Sequence, residues 1–168
     1  LISGPTHQIL KHRSVKIIPV ISAEEMYNAV HTHFKTIDIA ILAAAVADYK
    51  PKNVANQKIK KKEKTLSLEL EKTKDILASL GQMKDKQFLV GFALETNNEI
   101  ENAKGKLKSK NLNLIVLNSL KDKGAGFKSD TNKVTIIDEN ETITTFNLKS
   151  KEAVAVDILN AIINKLHA

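Results

Sequence analysis

The stretch Asp38-Ile39-Ala40-Ile41-Leu42-Ala43-Ala44-Ala45 constrains this chain more than any other. It is almost continuously apolar, and runs of that kind suit a strand of a parallel sheet covered on both faces. Helical patterning flanks it. Upstream, Ser22 with Glu25 three residues on forms a capping box, predicting a helix to about Lys35 with Met26, Val30 and Phe34 along one face. Before that helix, Leu1-Ile2-Ser3-Gly4-Pro5 reads as the end of a strand entering a turn, and Val15 to Val20 as a strand. Downstream, Leu66-Ser67-Leu68-Glu69-Leu70 alternates with period two, predicting a strand with one wet face. Thr73 and Asp75 open a short helix to about Met83, and Phe88 to Leu94 reads as another buried strand. Asn97 or Asn98 caps a helix ending near Lys110, and Leu112 to Leu117 is a further strand. After a loop with Gly124 and Gly126, Lys133 to Asp138 and Thr142 to Asn147 form a hairpin around Asn140. A last amphipathic helix runs from Ser150 to Lys165, its apolar set including Val154, Ile158, Ala161, Ile162 and Leu166.

Strands thus alternate with helices through most of the chain. The pattern predicts an α/β, Rossmann-like, three-layer architecture: a mostly parallel sheet with helices on both faces and a C-terminal β-hairpin. The 168 residues fit one domain, with no internal repeat and no interdomain linker. Only 4% of them are aromatic and none is Trp, so the core has to be built from Ile, Leu, Val and Ala.

Cysteine is absent, which removes disulfides, thiolate catalysis and Cys-ligated zinc together and fits a reducing, cytoplasmic setting. No apolar run approaches the roughly 20 residues that span a bilayer, so no membrane-spanning segment is expected. The net charge of +7 suggests an anionic partner: nucleic acid, a membrane surface or a small phosphorylated substrate. The excess is focused: from Lys50 to Lys74 nine lysines stand against three acids.

In open α/β sheets ligands bind beyond the C-terminal ends of the strands. There, Ala43, Ala44 and Ala45 would let a ligand approach the backbone, and Asp48 could hydrogen-bond a sugar hydroxyl or an amine, or hold a metal. Equally, the alanines pack under a helix and Asp48 caps a turn. The loop from Lys50 to Lys62 is longer than most such connections, and Lys58-Ile59-Lys60-Lys61-Lys62 carries the density of cations that a triphosphate needs. A solvated charge run or a patch for any polyanion would look the same. Thr73-Lys74-Asp75-Ile76 stands at a helix N-terminus, where backbone N–H groups favour an anion, or simply forms an N-cap. Gly91 lets another group come close, and Phe92 beside it can stack on a base or belong to the core. Lys106 and Lys110 share one helical face and could meet phosphates, or be surface lysines beside Glu99 and Glu101.

Other patterns are excluded. Gly124-Ala125-Gly126 begins like a dinucleotide fingerprint but lacks the third glycine and enters a hairpin. No P-loop and no nucleophile elbow occur. His31 and His33 are two apart on a helix and point in different directions, and metal ligands are not identified.

Taken in order, Ala44-Ala45-Val46-Ala47-Asp48-Tyr49, Lys58-Ile59-Lys60-Lys61, Lys72-Thr73-Lys74-Asp75-Ile76-Leu77, Val90-Gly91-Phe92-Ala93-Leu94-Glu95-Thr96-Asn97, Lys106 to Lys110, Asn111 to Val116, and Gly126 to Asn132 resemble phosphopantothenate–cysteine ligase, also called phosphopantothenoylcysteine synthetase, of the bacterial CTP-dependent type. The resemblance covers essentially the whole chain. It implies a ligase of coenzyme A biosynthesis that joins 4′-phosphopantothenate to cysteine through an acyl-cytidylate, with CTP and Mg²⁺. It further implies that Ala43 and Ala44 touch the nucleotide through the backbone, that Asp48 binds cytidine and that Lys58 reaches the phosphates from a flap as the catalytic lysine. Thr73, Lys74, Asp75 and Ile76 would contact the nucleotide, Phe92 would lie against it, and Lys106 and Lys110 would meet the triphosphate or the base edge. The family often has Asn-Pro where this chain has Thr73-Lys74, so Lys74 adds a cation.

The family's first strand, its loop rich in Asn, Ser and Gly, and the helix after them have no match here. The expectation is therefore a single ligase domain, N-terminally truncated, that alone binds nucleotide weakly and turns over poorly. The resemblance also implies a homodimer, with Lys133 to Asn147 as a contact, and a fused or associated flavin-dependent phosphopantothenoylcysteine decarboxylase. Val134, Ile136 and Ile143 suit either that contact or packing within the chain. The competing reading is a non-enzymatic basic α/β module binding nucleic acid or another polyanion through the lysine loop; the ligase reading has no nucleic acid partner and no membrane partner. A nicotinamide-binding domain is disfavoured by the missing glycine fingerprint.

Overall fold

A computed structural model describes residues 1–8, 12–60, 65–119 and 129–167. The Gly124 and Gly126 loop, and Lys61 and Lys62 of the lysine cluster, lie outside the described residues. In chain order the elements are β1 (Ile2–Ser3), β2 (Ile18–Pro19), α1 (Ala23–Phe34), β3 (Ile39–Leu42), β4 (Tyr49–Pro51), β5 (Leu70–Lys72), α2 (Ile76–Met83) and β6 (Phe88–Glu95). There follow α3 (Glu99–Ser109), β7 (Leu114–Ser119), β8 (Thr131–Asn132), β9 (Val134–Asp138), β10 (Ile143–Thr145), β11 (Lys149–Ser150) and α4 (Lys151–Leu166). They fall into two compact units, one of Leu1–His33 with Ala44–Ile76, the other of Phe34–Ala43 with Leu77–Ala168.

The second unit holds a five-stranded sheet in the order β10-β9-β7-β6-β3. β3, β6 and β7 run parallel, and the hairpin β9–β10 continues the sheet antiparallel. On one face Phe88, Val90, Leu114, Val116, Val134 and Ile136 pack against Val154, Ile158 and Ile162 of α4. On the other, Leu77 of α2 lies where a Cβ on Gly91 would be. Each fully buried aliphatic side chain in these layers contributes about 1.5–3 kcal/mol. Ser150 caps α4 by accepting from the Ala153 N–H at 3.2 Å, after pairing as part of β11 with β8. Val134 and Ile136 are committed to this internal core, which leaves Ile143 exposed. Leu166, in the expected apolar set of α4, is exposed: it continues the line of Val154, Ile158 and Ile162 but is the last residue of the helix.

Three other expectations change. β3 is the edge of the sheet, and Ile39 and Ile41 are exposed while only Ala40 is buried, so its apolar run is not covered on both faces. The register explains it: Ile39 and Ile41 pair with Phe88 and Val90, on the face that α4 covers, but at the margin of that layer. Asn98 occupies the N-cap of α3 in the left-handed region, with φ 46°, and its side chain caps nothing. Instead Asn102 Nδ2 reaches back to the Asn97 carbonyl at 2.9 Å.

The first unit is built of smaller pieces. β1 and β2 pair in parallel, shorter than the predicted Val15 to Val20 strand. The capping box of α1 forms as written in the sequence. Glu25 N–H donates to Ser22 Oγ at 3.1 Å, Ser22 Oγ donates to Glu25 Oε1 at 3.0 Å, and Ile21 N–H donates to Glu25 Oε2 at 2.9 Å. β4 and β5 make an antiparallel ribbon. The third correction lies here: the strand begins at Leu70, and Leu66, Leu68 and Leu70 are all exposed, since a two-stranded ribbon supplies no covering layer.

Candidate functional site

In the first unit the small-residue segment Ala44 to Ala47 leads into Asp48 without regular structure. The β4–β5 ribbon then folds residue 73 back onto it, because Tyr49 pairs with Lys72. Thr73 is held there twice: its N–H donates to the Asp48 carbonyl at 2.9 Å, and its Oγ1 donates to the Ala47 carbonyl at 2.6 Å. Two sequence segments 25 residues apart are thereby fixed side by side. The Asp48 carboxylate is exposed and no donor engages it among the described residues. Ile76 opens α2 and is buried, whereas Lys74 and Asp75 are exposed.

Cations collect beside this junction. Lys74 Nζ lies 3.6 Å from Glu24 and 4.7 Å from the centroid of Tyr27, whose ring stacks on His31. Lys50 lies 3.4 Å from Glu24 and 3.4 Å from Glu71. Lys50 and then Lys74 hold the Glu24 carboxyl below the usual carboxylate range. Glu71, then Glu24, raise the Lys50 ammonium above its ordinary value. Lys58 differs: it is exposed in the irregular segment 52–60, and no carboxylate pairs with it among the described residues.

In the second unit Ala43 follows the end of β3. Phe92, in β6, is half-buried and packs against the core cluster under α4. The close approach that Gly91 permits is made by Leu77 and Leu112, not left open for a ligand. The lysines of α3 divide by helical face. Lys108, and then Lys104 at 3.0 Å, pair with Glu141 and lower its carboxyl. Lys106, on a different face, pairs with Glu95 at 2.6 Å. Lys110 ends the helix, its N–H donating to the Lys106 carbonyl at 3.0 Å. Structure therefore gathers Ala44, Asp48, Thr73 and Lys74 within one unit, and Lys106 with Lys110 within the other.

The model of the DNA/pantothenate metabolism flavoprotein C-terminal domain matches residues 1–166. The chain belongs to this family. Among curated relatives of the flavoprotein C-terminal domain found here, a cysteine/cysteine sulfinic acid decarboxylase of an unknown prokaryotic organism is 50% identical over 168 residues, covering 99% of this chain and 47% of that protein. The coenzyme A biosynthesis bifunctional protein CoaBC of Bacillus subtilis (strain 168) is 44% identical over 162 residues, 96% of this chain and 40% of that protein. The chain spans less than half the length of both. The crystal structure of the C-terminal domain of a coenzyme A biosynthesis bifunctional protein CoaBC superposes with TM-score 0.81 at 39% identity, over 99% of this chain and 73% of that one.

Within this flavoprotein C-terminal domain, sequence reasoning passes over Glu24 and Tyr27, which hold Lys74, and quotes Glu95 only as part of a motif, without its pairing to Lys106. The signal for Glu24 is only its place in the first turn of α1, where an acid already suits the helix dipole. Glu95 stands at the end of an apolar strand, where a lone carboxylate needs a partner. Among the described residues no group of three or more His, Asp or Glu gathers to hold a metal ion.

Proposed function

We propose that this domain is a phosphopantothenate–cysteine ligase of coenzyme A biosynthesis that uses Mg·CTP. A carboxylate oxygen of 4′-phosphopantothenate attacks the α-phosphorus of CTP, and the bond to pyrophosphate breaks. The cysteine amine then attacks the acyl carbon of the acyl-cytidylate, loses a proton, and CMP leaves. Both partners in the first step are anions, so cations that offset their repulsion, and stabilise charge developing on pyrophosphate, are the protein's main contribution.

The observation that carries the reading is the double seating of Thr73 on Ala47 and Asp48, because it sets side by side two segments that the resemblance assigns to the nucleotide. Asp48 offers a free acceptor for cytidine, Ala43 and Ala44 offer backbone, and Thr73, Lys74, Asp75 and Ile76 line the nucleotide. Phe92 lies against it, and Lys106 and Lys110 meet its triphosphate or base edge. Lys58, exposed and without a carboxylate among the described residues, is a cation available to close on the phosphates. The full protein is proposed to act as a homodimer, fused to or associated with a flavin-dependent phosphopantothenoylcysteine decarboxylase, in the cytoplasm. Among the described residues no helix is long and apolar enough to cross a membrane.

The polyanion-patch alternative is weakened by charge compensation. Lys50, Lys52 and Lys74 are each paired with a carboxylate of the same unit. The test is Lys58→Ala in the full-length protein: CMP release should fall by about 100-fold or more with thermal stability unchanged. A small loss that vanishes with added salt would instead mark a shared electrostatic patch and sink the ligase role of Lys58.

A further inference from the structure

We propose that Glu95 is a positioning residue that sets the Lys106 ammonium for the anionic part of the nucleotide, an inference that rests on the reading of Lys106 as a nucleotide contact. Glu95 is the last residue of β6, at the C-terminal edge of the parallel strands, where open α/β sheets receive their ligands. Its carboxylate is held on both oxygens. Oε1 lies 2.6 Å from Lys106 Nζ, and Oε2 accepts from Asn102 Nδ2 at 3.2 Å. The same Asn102 amide donates to the Asn97 carbonyl at 2.9 Å, tying the carboxylate to the strand-to-helix turn as well as to α3.

The two partners differ in exposure. The Glu95 side chain is 13% exposed and that of Lys106 45%. A carboxylate anchored in the protein thus fixes an ammonium that still faces water. An ammonium has three donors, so one bond to Glu95 leaves two for phosphate oxygens or a base edge. Lys104 and Lys108 of the same helix pair with Glu141, which lies in the β9–β10 turn and not at a strand end. Long lysine chains lose much rotamer freedom on binding, and a partner that orders one beforehand lowers that cost.

The sign of the effect separates positioning from plain charge neutralisation. A neutralising Glu95 competes with the phosphates, and its removal would tighten binding. A positioning Glu95 helps, and its removal weakens binding. In the full-length protein, CTP affinity is measured by calorimetry for Glu95→Gln, Lys106→Met and the double variant. We expect Glu95→Gln to weaken CTP about tenfold, and to have no further effect once Lys106 is Met. Glu95→Asp should recover part of the loss, and in turnover the change should fall on KM for CTP more than on kcat. Unchanged or tighter CTP binding in Glu95→Gln overturns the proposal, as does an equal loss in the Lys106→Met background. If Lys106→Met itself leaves CTP affinity unchanged, the nucleotide reading of Lys106 is what has failed, and the proposal falls with it. Should Glu95→Gln lose its folding transition, Asn102→Ala carries the test. It releases Oε2 while keeping the ion pair, and should give a smaller loss that again depends on Lys106; its absence overturns the proposal.

Discussion

The two units use the same kind of sequence to different ends. Leu114 to Leu117 in β7 and Leu66 to Leu70 before and within β5 are both apolar and rich in leucine. Yet Leu114 and Val116 are fully buried, whereas Leu66 is 72% exposed and Leu68 56% exposed. Alternation assigns a side chain to a face; only a second layer turns that face into a core. The five-stranded sheet has α4 and α2 to supply that layer, and the β4–β5 ribbon has none of its own. The stability of the chain is therefore concentrated in the second unit, while Asp48, Lys58 and Thr73 stand on segments that the buried core does not need. Substitutions at the proposed nucleotide contacts of the first unit should cost function, and core substitutions in the second should cost the fold.

The sharpest way to break that contrast is at Gly81, in α2. A Cβ there would sit 1.9 Å from the Lys110 carbonyl oxygen, a backbone atom that cannot rotate away. The approach is locked from the other side by Asn111, at φ 51°, whose Nδ2 donates to the Gly81 carbonyl at 2.9 Å. Gly81→Ala should destabilise the protein by about 3 kcal/mol or more, read from urea denaturation. It should also shift the backbone of Lys110, so any folded remainder should bind CTP less well. A loss under about 1 kcal/mol would mean that α2 and the end of α3 slip past one another easily, and that the second unit is less tightly specified than its buried side chains indicate.

Gly81 also marks where sequence reading stopped. The capping box of Ser22 and Glu25, the central strand from Phe88, the hairpin around Asn140 and the last helix from Ser150 were legible, because each is a local pattern with its own chemistry. The ends of β2, β3 and β5 were not, because strand length depends on which neighbours cover it. The same division holds for the site. Asp48, Thr73 and Lys106 could be named from motif resemblance, but their carbonyl and carboxylate partners could not. The Thr73 bonds to Ala47 and Asp48 span 26 and 25 residues, the Lys74–Glu24 pair spans 50, and no periodicity reports such distances. Gly91 lets another group come close, but that the group is Leu77 and Leu112 is revealed only by the packing.

A smaller effect sharpens the contrast within the second unit. The Asp138 side chain is nearly buried and closes the β9–β10 turn, its Oδ1 accepting from the N–H groups of Asn140 at 3.0 Å and Thr142 at 2.8 Å. Its Oδ2 pairs with Lys165 of α4 at 2.5 Å. Burial pushes the carboxyl upward, but Lys165 and Thr142 outweigh it, and the net value lies below the ordinary one. A depressed carboxylate stabilises the fold fully above its unfolded value, near 3.9, and the contribution is lost as pH falls through the lower folded value. Asp138→Asn should cost about 2 kcal/mol at neutral pH. The difference between variant and parent should shrink only below about pH 4. A difference that persists unchanged to lower pH would show that the amide has disturbed packing and that the lost charge is not the cause.

The smallest expected effect lies in the first unit and bears most directly on the comparison. Leu68 alternates with Leu66 and Leu70 and by pattern alone belongs in a core. Its exposure says otherwise, and Leu68→Ser should change stability by less than about 0.5 kcal/mol. Leu114→Ser, with the same chemistry on a fully buried side chain, should cost at least about 3 kcal/mol. Measured side by side in urea, the pair isolates the covering layer from the side chain. If Leu68→Ser costs more than about 1 kcal/mol, these leucines are covered in solution by a partner or by another segment of the full protein. The segment carrying Lys58 would then be held by that cover, and the loss of turnover in Lys58→Ala would have to be judged against the covered state.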